Sequence, residues 1–476
     1  MSGDSEPSDH TKGTSGPAPD AKDPETGEVA REEQDPSDRP SPPFTVDGVS
    51  RVGVVSTASG GVVVRPGEWT IDLRAAGTNA ESVIELLGGE AVVVAQPVDL
   101  RRAERLAVLR IDVRDERAFA DRLAKLAEGS TSDKAVRSAT RPHAVFLVGA
   151  LTAAPMHLSP MHLSPMHLSA GYGGDPTRFW YSSTARPAPA PSGDLVVTAS
   201  CEAGPIIAIL DTGVPKTLAA ANPKKSDVEL PNPDGSVLVD RADVNDDRYL
   251  DIAAGHTTFI RSIITRAAPS AQVWCLGVME NDGDGDEAHV ADALLHVFDT
   301  LPKEDLHRLI VNLSFGGYYD GDVEPPMVAA AIRLLTDGGA VVVAAAGNDG
   351  ICRKQFPAAM GEVVGVGALG PCGPAPFSNH GPWVEASAPG EDLVSEFFSN
   401  FDGAFEPVDQ AFDDIDKFDG WAMWSGTSFA TPAVVGAIAE AMSIRSLTAR
   451  EALDLVVRRP GLLRIPDYGV VVNRIF

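Results

Sequence analysis

The chain has 476 residues, 43% of them hydrophobic, enough to bury a large core and to form more than one domain. Lys and Arg number 39 against 67 Asp and Glu, a net charge of −28, which argues against nucleic acid and anionic membrane surfaces as partners because both would be repelled. Four cysteines, Cys201, Cys275, Cys352 and Cys372, show neither metal-ligand spacing nor a dense disulfide pattern, and read as free thiols unless Cys352 and Cys372 meet an oxidising compartment.

Residues 1–48 are rich in Asp, Glu, Pro, Ser and Gly with almost no large apolar residues, a composition that cannot offset its ordering entropy and is expected to be disordered. The start, Met1-Ser2-Gly3-Asp4-Ser5-Glu6-Pro7, is acidic and polar, unlike a secretory signal peptide. With no run of about 18–20 apolar residues to span a bilayer, the expectation is a cytoplasmic protein with no membrane partner. Residues 49–150 turn globular. Extended stretches at 53–55 and 61–64, a helix over 81–87 ended by Gly88-Gly89, strands at 91–95 and 106–113, a helix over 116–126 and a strand at 143–148 follow from their periodicity. Their order suggests a small α+β, ferredoxin-like domain.

Residues 151–192 hold three copies of Pro-Met-His-Leu-Ser between Pro155 and Ser169, followed by Pro187, Pro189 and Pro191. Proline at every fifth position makes an extended linker; an exposed processing site and a soft-metal site using Met and His are the alternatives.

Residues 193–476 carry the chemistry. Pro205 to Leu210 is a short apolar run halted by Asp211-Thr212-Gly213, a buried parallel strand with Asp211 at its C-terminal edge, where functional groups gather in an open α/β sheet. Gly255-His256 opens an apolar helical pattern. Two acidic loops, Asp243 to Asp247 and Asn281 to Glu287, have alternating carboxylates suited to calcium, although a solvated loop and a helix start explain them as well, and no cofactor is expected to be required. Gly339 to Asn348 is a strand of small and β-branched residues that ends on the amide of Asn348. The acidic segment Asp409 to Asp419 reads as an inserted surface loop. Gly426-Thr427-Ser428 precedes an apolar stripe at helical spacing, with Pro432 in the first turn; there Ser428 keeps its own N–H free. Asp211, His256 and Ser428 are the three groups a serine nucleophile needs, and Asn348 can bind the charge that develops on an attacked carbonyl.

In these four motifs, and in Asn312 to Gly317, Phe356 to Ala359 and Ser378 to Gly381, the chain resembles the subtilisin-like serine proteases from about Ile206 to Glu440. The resemblance implies a parallel sheet flanked by helices and a serine endopeptidase acting on peptide or protein substrates, with Asp211, His256 and Ser428 catalytic, Asn348 in the oxyanion hole, and Ser314, Phe315, Gly316 and Gly347 binding substrate. It also implies that residues 49–150 act as a removable, inhibitory propeptide, an unrelated accessory domain being the alternative; cutting would then fall between Pro155 and Ser169. The chain departs from the family at Thr257, where a glycine is usual and where a β-carbon would crowd the histidine. A silent, peptide-binding relative is the alternative function.

Overall fold

The computed structural model describes residues 44–46, 49–57, 60–148, 186–187, 204–214, 227–229, 240–241, 253–281, 283–403 and 416–472. The Met-His-Leu-Ser-Pro repeats, the acidic loop at 243–247, Cys201 and nearly all of the acidic tail lie outside these residues.

The smaller region contains β1 (Phe44–Val46), β2 (Val49–Thr57), β3 (Gly60–Asp72), α1 (Leu73–Ala76), α2 (Ala80–Leu86), β4 (Val93–Val94), α3 (Pro97–Leu106), β5 (Val108–Val113), α4 (Glu116–Glu128), α5 (Thr131–Ala139) and β6 (Thr140–Val148). Four antiparallel strands run in the order β6-β3-β5-β4, the order of a ferredoxin-like sheet. Ile71, Val83, Leu109, Ile111, Phe119 and Val136 fill the space between sheet and helices. Three parts differ from the sequence expectation, the first being α5, a helix where none was expected between 126 and 143. The strand expected at 91–95 is only two residues long. The strand expected from 106 starts at Val108, because α3 precedes it: Pro97 sits in its first turn, Gln96 and Asp99 form a capping box, and Ala107 in left-handed geometry ends it.

The larger region adds β7 (Arg186–Pro187), β8 (Ile206–Asp211), β9 (Asp227–Glu229), α6 (His256–Ala267), β10 (Gln272–Gly277), β11 (Asp284–Asp286), α7 (Glu287–Thr300), β12 (Leu309–Leu313) and β13 (Phe315–Gly316). There follow α8 (Pro326–Asp337), β14 (Val341–Ala345), β15 (Val363–Gly370), β16 (Gly373–Pro374), β17 (Val384–Pro389), β18 (Leu393–Gly403), β19 (Asp416–Trp424), α9 (Thr427–Arg445), α10 (Ala449–Leu453), β20 (Arg464–Ile465) and β21 (Gly469–Val471).

Its main sheet runs β20-β21-β17-β15-β14-β12-β8-β10-β9. All of these strands are parallel except β20, with β16 antiparallel beside β15. Both faces are covered, which is why the central strands read as unbroken apolar runs. Along β8, Ile207 and Ile209 face α6 and α9, while Ala208 and Leu210 face α7 and α8. Helix α9 is long and apolar enough to cross a membrane, a stretch the sequence reading passed over, but 78% of that stretch is buried, and it packs as a core helix. Strands β18, β19 and β7 form a separate antiparallel ribbon, whose Ser395 hydroxyl donates to the Phe259 carbonyl of α6 at 2.8 Å. The smaller region lies on the α7 and α8 side, adding Val62, Val64, Leu106, Val108 and Phe146 to that core.

Candidate active site

Asp211 ends β8, and His256 opens α6 one layer away. Gly255 brings them together: its φ is +79°, and a β-carbon there would stand 2.1 Å from the Phe397 ring, so only glycine fits this turn. Its N–H donates to both carboxylate oxygens of buried Asp240, at 3.1 and 3.0 Å. The His256 Nδ1 lies 2.7 Å from Asp211 Oδ1, both side chains being sealed, 1% and 0% exposed. The Thr212 N–H donates to the same oxygen at 2.9 Å. His256 Nε2 and Asp211 Oδ2 have no hydrogen-bond partner among the described residues. The imidazole is walled by Trp424 and Phe429, with ring centroids 5.4 and 5.2 Å away.

Ser428 is the second residue of α9. Its Oγ donates to the Ser314 carbonyl at 2.9 Å, and the Ser314 Oγ donates back to the Ser428 carbonyl at 2.8 Å. The Asn312 Nδ2 in turn donates to Ser314 Oγ at 2.9 Å. Asn348 follows β14. Its Oδ1 accepts from the Thr427 N–H at 2.8 Å and the Thr427 hydroxyl at 2.9 Å, and the Gly347 N–H donates to that hydroxyl at 3.1 Å. With Oδ1 held by Thr427, Nδ2 is turned toward the start of α9, where it would lie 3.6 Å from a β-carbon on Gly426.

Thr257 does not crowd the histidine. Its hydroxyl points toward Asp211, donating to Oδ1 at 3.4 Å and accepting from the Thr212 hydroxyl at 3.3 Å. Asp240 Oδ2 is the other acceptor for that same Thr212 proton, also at 3.3 Å. Two hydroxyls thus lie between two carboxylates behind the imidazole. Asp240 carried no signal in the sequence, because its role depends on a loop folding against Gly255.

The strand Phe315–Gly316 is already paired. β6 runs antiparallel to it, Val148 across from Phe315 and Leu147 across from Gly316, and also pairs with β11 through Asp284 and Asp286. Phe146, fully buried, packs against Phe315 and Tyr319 with ring centroids 5.4 and 6.0 Å apart.

Charge complements this contact. Arg102 on α3 donates to both oxygens of Asp292 on α7, at 2.8 and 2.5 Å, and to Asp99 at 2.5 Å. Arg105 grips Asp299 at 2.8 and 3.0 Å. His143, fully buried, contacts the Thr70 hydroxyl at 2.8 Å through Nδ1 and Asp286 at 3.2 Å through Nε2. Burial pulls this imidazole down, but Asp286, Glu287 and Glu68 outweigh it and leave it above its ordinary value. Burial alone would raise Asp286, yet His143, Arg110 and Arg65 hold it well below the carboxylate range. Burial pushes Glu287 up to about 7, although His143 and the Met327 and Val328 N–H groups oppose the shift.

Donor atoms of Glu68, His143 and Asp286 come within 4.8 Å of one another, a spacing open to a metal. Arg110 lies 3.3 Å from Glu68 and 3.5 Å from Asp286, and Arg65 lies 3.6 Å from Asp286 and 3.0 Å from Asp284. Guanidinium groups supply the counter-charge there, to this cluster and to the second acidic loop alike. Among the described residues Cys352 and Cys372 are free, exposed thiols.

The description of the subtilase family matches residues 202–460. The chain is 28% identical over 264 residues to a thermophilic serine proteinase of Bacillus sp. (strain AK1), an alignment covering 53% of this chain and 56% of that protein. Against thermitase of Thermoactinomyces vulgaris the identity is 27% over 244 residues, covering 49% and 73%. The chain thus spans about half the length of the first of these relatives. Among solved structures, a mutant of the protease domain of PatA overlaps with a TM-score of 0.45 at 22% identity, covering 58% of this chain and 94% of that one. A lanthipeptide protease gives 0.43 at 22%, covering 57% and 86%. With a family match over more than half of its length, the chain belongs to the subtilase family.

Proposed function

We propose that the chain is a serine endopeptidase in which Ser428 is the nucleophile, His256 its base and Asp211 the group that orients the base. The observation that carries this reading is the sealed 2.7 Å contact between His256 Nδ1 and Asp211 Oδ1, which leaves Nε2 as the ring atom open to a proton. Ser428 would pass its proton to Nε2 as Oγ bonds to the carbonyl carbon. The imidazolium would then give that proton to the leaving amine as the C–N bond breaks, and water would release the acyl group by the same route. Asn348 Nδ2 and the Ser428 N–H would hold the oxyanion. Because Ser428 Oγ rests on the Ser314 carbonyl, catalysis requires the hydroxyl to turn to the imidazole. The names of matched relatives, a serine proteinase, an alkaline protease and a basic protease among them, support a peptide or protein substrate.

The smaller region reads as an intramolecular inhibitor. A substrate strand adding to Phe315–Gly316 by β-augmentation would use the edge that β6 uses. In sequence, Val148 is followed by Gly149 and Ala150, so the register favours cutting there rather than between Pro155 and Ser169. Replacing Ser428 with alanine is expected to leave the circular dichroism and melting of the protein unchanged and to lower peptide hydrolysis by roughly 10⁴-fold or more. Retained turnover in purified Ser428→Ala protein would exclude Ser428 as nucleophile.

A further inference from the structure

The mechanism leaves one sequence motif, Ser378 to Gly381, without a part, yet a buried amide within it encloses the turn that carries Asn348. Asn379 is 0% exposed. Its Oδ1 accepts from the Asp349 and Ile351 N–H groups, each at 3.1 Å, and its Nδ2 donates to the Ala346 carbonyl at 3.0 Å and the Tyr318 hydroxyl at 2.8 Å. Its own N–H donates to the Gly347 carbonyl at 2.9 Å. Two N–H donors converge on one atom, which must then be the oxygen, so the network itself fixes which way the amide points. A carboxamide offers two lone pairs and two N–H groups, and all four are engaged here. Every partner except Tyr318 is backbone between Ala346 and Ile351, on both sides of Asn348.

Thr427 holds the tip of the Asn348 side chain through Oδ1, but it does not hold the backbone from which that side chain springs. That backbone lies against Asn379: Gly347 has φ +102°, and a β-carbon on it would stand 2.4 Å from Asn379 Nδ2. Tyr318 extends the same hold, since its hydroxyl accepts from Asn379 and donates to the Asp349 carboxylate. Burial, with Asp349 beside it, keeps this phenol well above its ordinary value, so the donated proton stays in place. From this geometry we infer that Asn379 is a positioning residue: it fixes the 346–351 turn so that Asn348 Nδ2 faces the oxyanion, and it acts on the rate through Asn348 alone. The inference rests on Ser428 and Asn348 having the roles given above. An oxyanion donor works only within about 2.7–3.1 Å of the charge it binds, so a turn that relaxes by a few tenths of an ångström loses the bond in the transition state.

The test is the rate at which a small fluorophosphonate labels Ser428 in the full chain, read by intact mass. Ser428 Oγ bonds to phosphorus as fluoride leaves and His256 takes the proton, while the phosphoryl oxygen occupies the place of the oxyanion. The reagent brings no peptide strand, so its rate reports the oxyanion hole without substrate binding. Asn348→Ala is expected to slow labelling by roughly a hundredfold or more. Asn379→Ala is expected to slow it by about tenfold or more in the wild-type chain and by less than about twofold in Asn348→Ala, where the amide that it aims is gone. Equal slowing in both backgrounds would mean that the substitution merely loosens the site, and no slowing of folded Asn379→Ala in the first background would remove the role altogether; either result overturns the inference. If Asn379→Ala fails to fold, Tyr318→Phe decides by the same comparison, with about threefold slowing expected in the wild-type chain, the effect of one neutral hydrogen bond, and none in Asn348→Ala. A wild-type chain that is not labelled at all would instead overturn Ser428 as nucleophile, and this inference with it.

Discussion

Thr257 departs from the family pattern, yet its side chain packs behind the imidazole and bonds to the carboxylate beside it. The added hydroxyl turns away from the imidazole ring and joins Thr212 and Asp240 in a buried network that ends on Asp211 Oδ1. That oxygen already takes His256 and the Thr212 N–H, so the hydroxyl adds a third, longer contact that helps to fix the carboxylate. A hydrogen bond to a charged group contributes about 1.5–3 kcal/mol at ordinary length; this one, stretched to 3.4 Å, is taken at about 1 kcal/mol, equivalent to about fivefold in rate if it acts only in the transition state. Thr257→Val is therefore expected to lower kcat by about 3–10-fold with little change in KM, and Thr257→Ser to recover most of the loss. A Thr257→Val enzyme with unchanged kcat would assign the hydroxyl to packing alone. Asp211 and Asn348 were legible at the ends of short apolar runs, and His256 and Ser428 at the starts of apolar helical patterns. Asp240 was not, because a lone polar residue in a loop carries no periodicity to mark it.

Helix α3 and strand β6 carry the contact between the two regions. The Arg102–Asp292 and Arg105–Asp299 pairs fix the register of α3 on α7, but the first, largely buried, gives little net stability once desolvation is counted, and the second is exposed and contributes little. Apolar residues such as Phe146 contribute more, about 1.5–3 kcal/mol for a fully buried large side chain. Beneath them, His143 makes the contact depend on pH. Glu287 is pushed up chiefly by its burial, with Met327 and Val328 of its own region bonded to it and His143 opposing the shift, so parting the two regions gives no reason for it to release a proton. His143 is raised above its ordinary value, chiefly by Asp286 against the opposing effect of burial, so its contribution is complete below about pH 6.5 and is lost as pH rises through the folded value. Arg65, Arg110 and Glu68 lie on the same region as His143, with Asp286 and Glu287 facing it across the interface. Hydrogen exchange of the β6 amides, corrected for intrinsic rate, is expected to show greater protection at pH 5.5 than at pH 8; protection that is flat or rises with pH would assign no switching role to His143.

At the scale of the whole molecule, a strand of the smaller region lies in the cleft of the larger one, between β11 and β13. If the larger region cuts its own chain after this strand, purified protein should separate into fragments divided near Gly149, and the Ser428→Ala protein should remain a single 49.9 kDa chain. Cutting of the Ser428→Ala protein at the same place would point to another protease. Local patterns carried much of this architecture. The apolar runs of β8 and β14 marked a doubly covered parallel sheet, since no strand with a wet face can be apolar at every position. The periodicities of residues 60–148 likewise yielded a ferredoxin-like order despite the missed α3, whose stripe is short and rich in arginine, and the missed α5. The partners across the fold were decided elsewhere. Which edge β6 occupies, that Asp284 and Asp286 meet arginines, and that the Asn379 amide encloses the turn of Asn348 all depend on residues far apart in the chain. Composition and periodicity report how a segment meets water or a core, so they determined the elements and the ordered motifs of the site. They are silent on which distant surface a side chain meets, because that follows from packing of the assembled layers, and only the tertiary structure decided it.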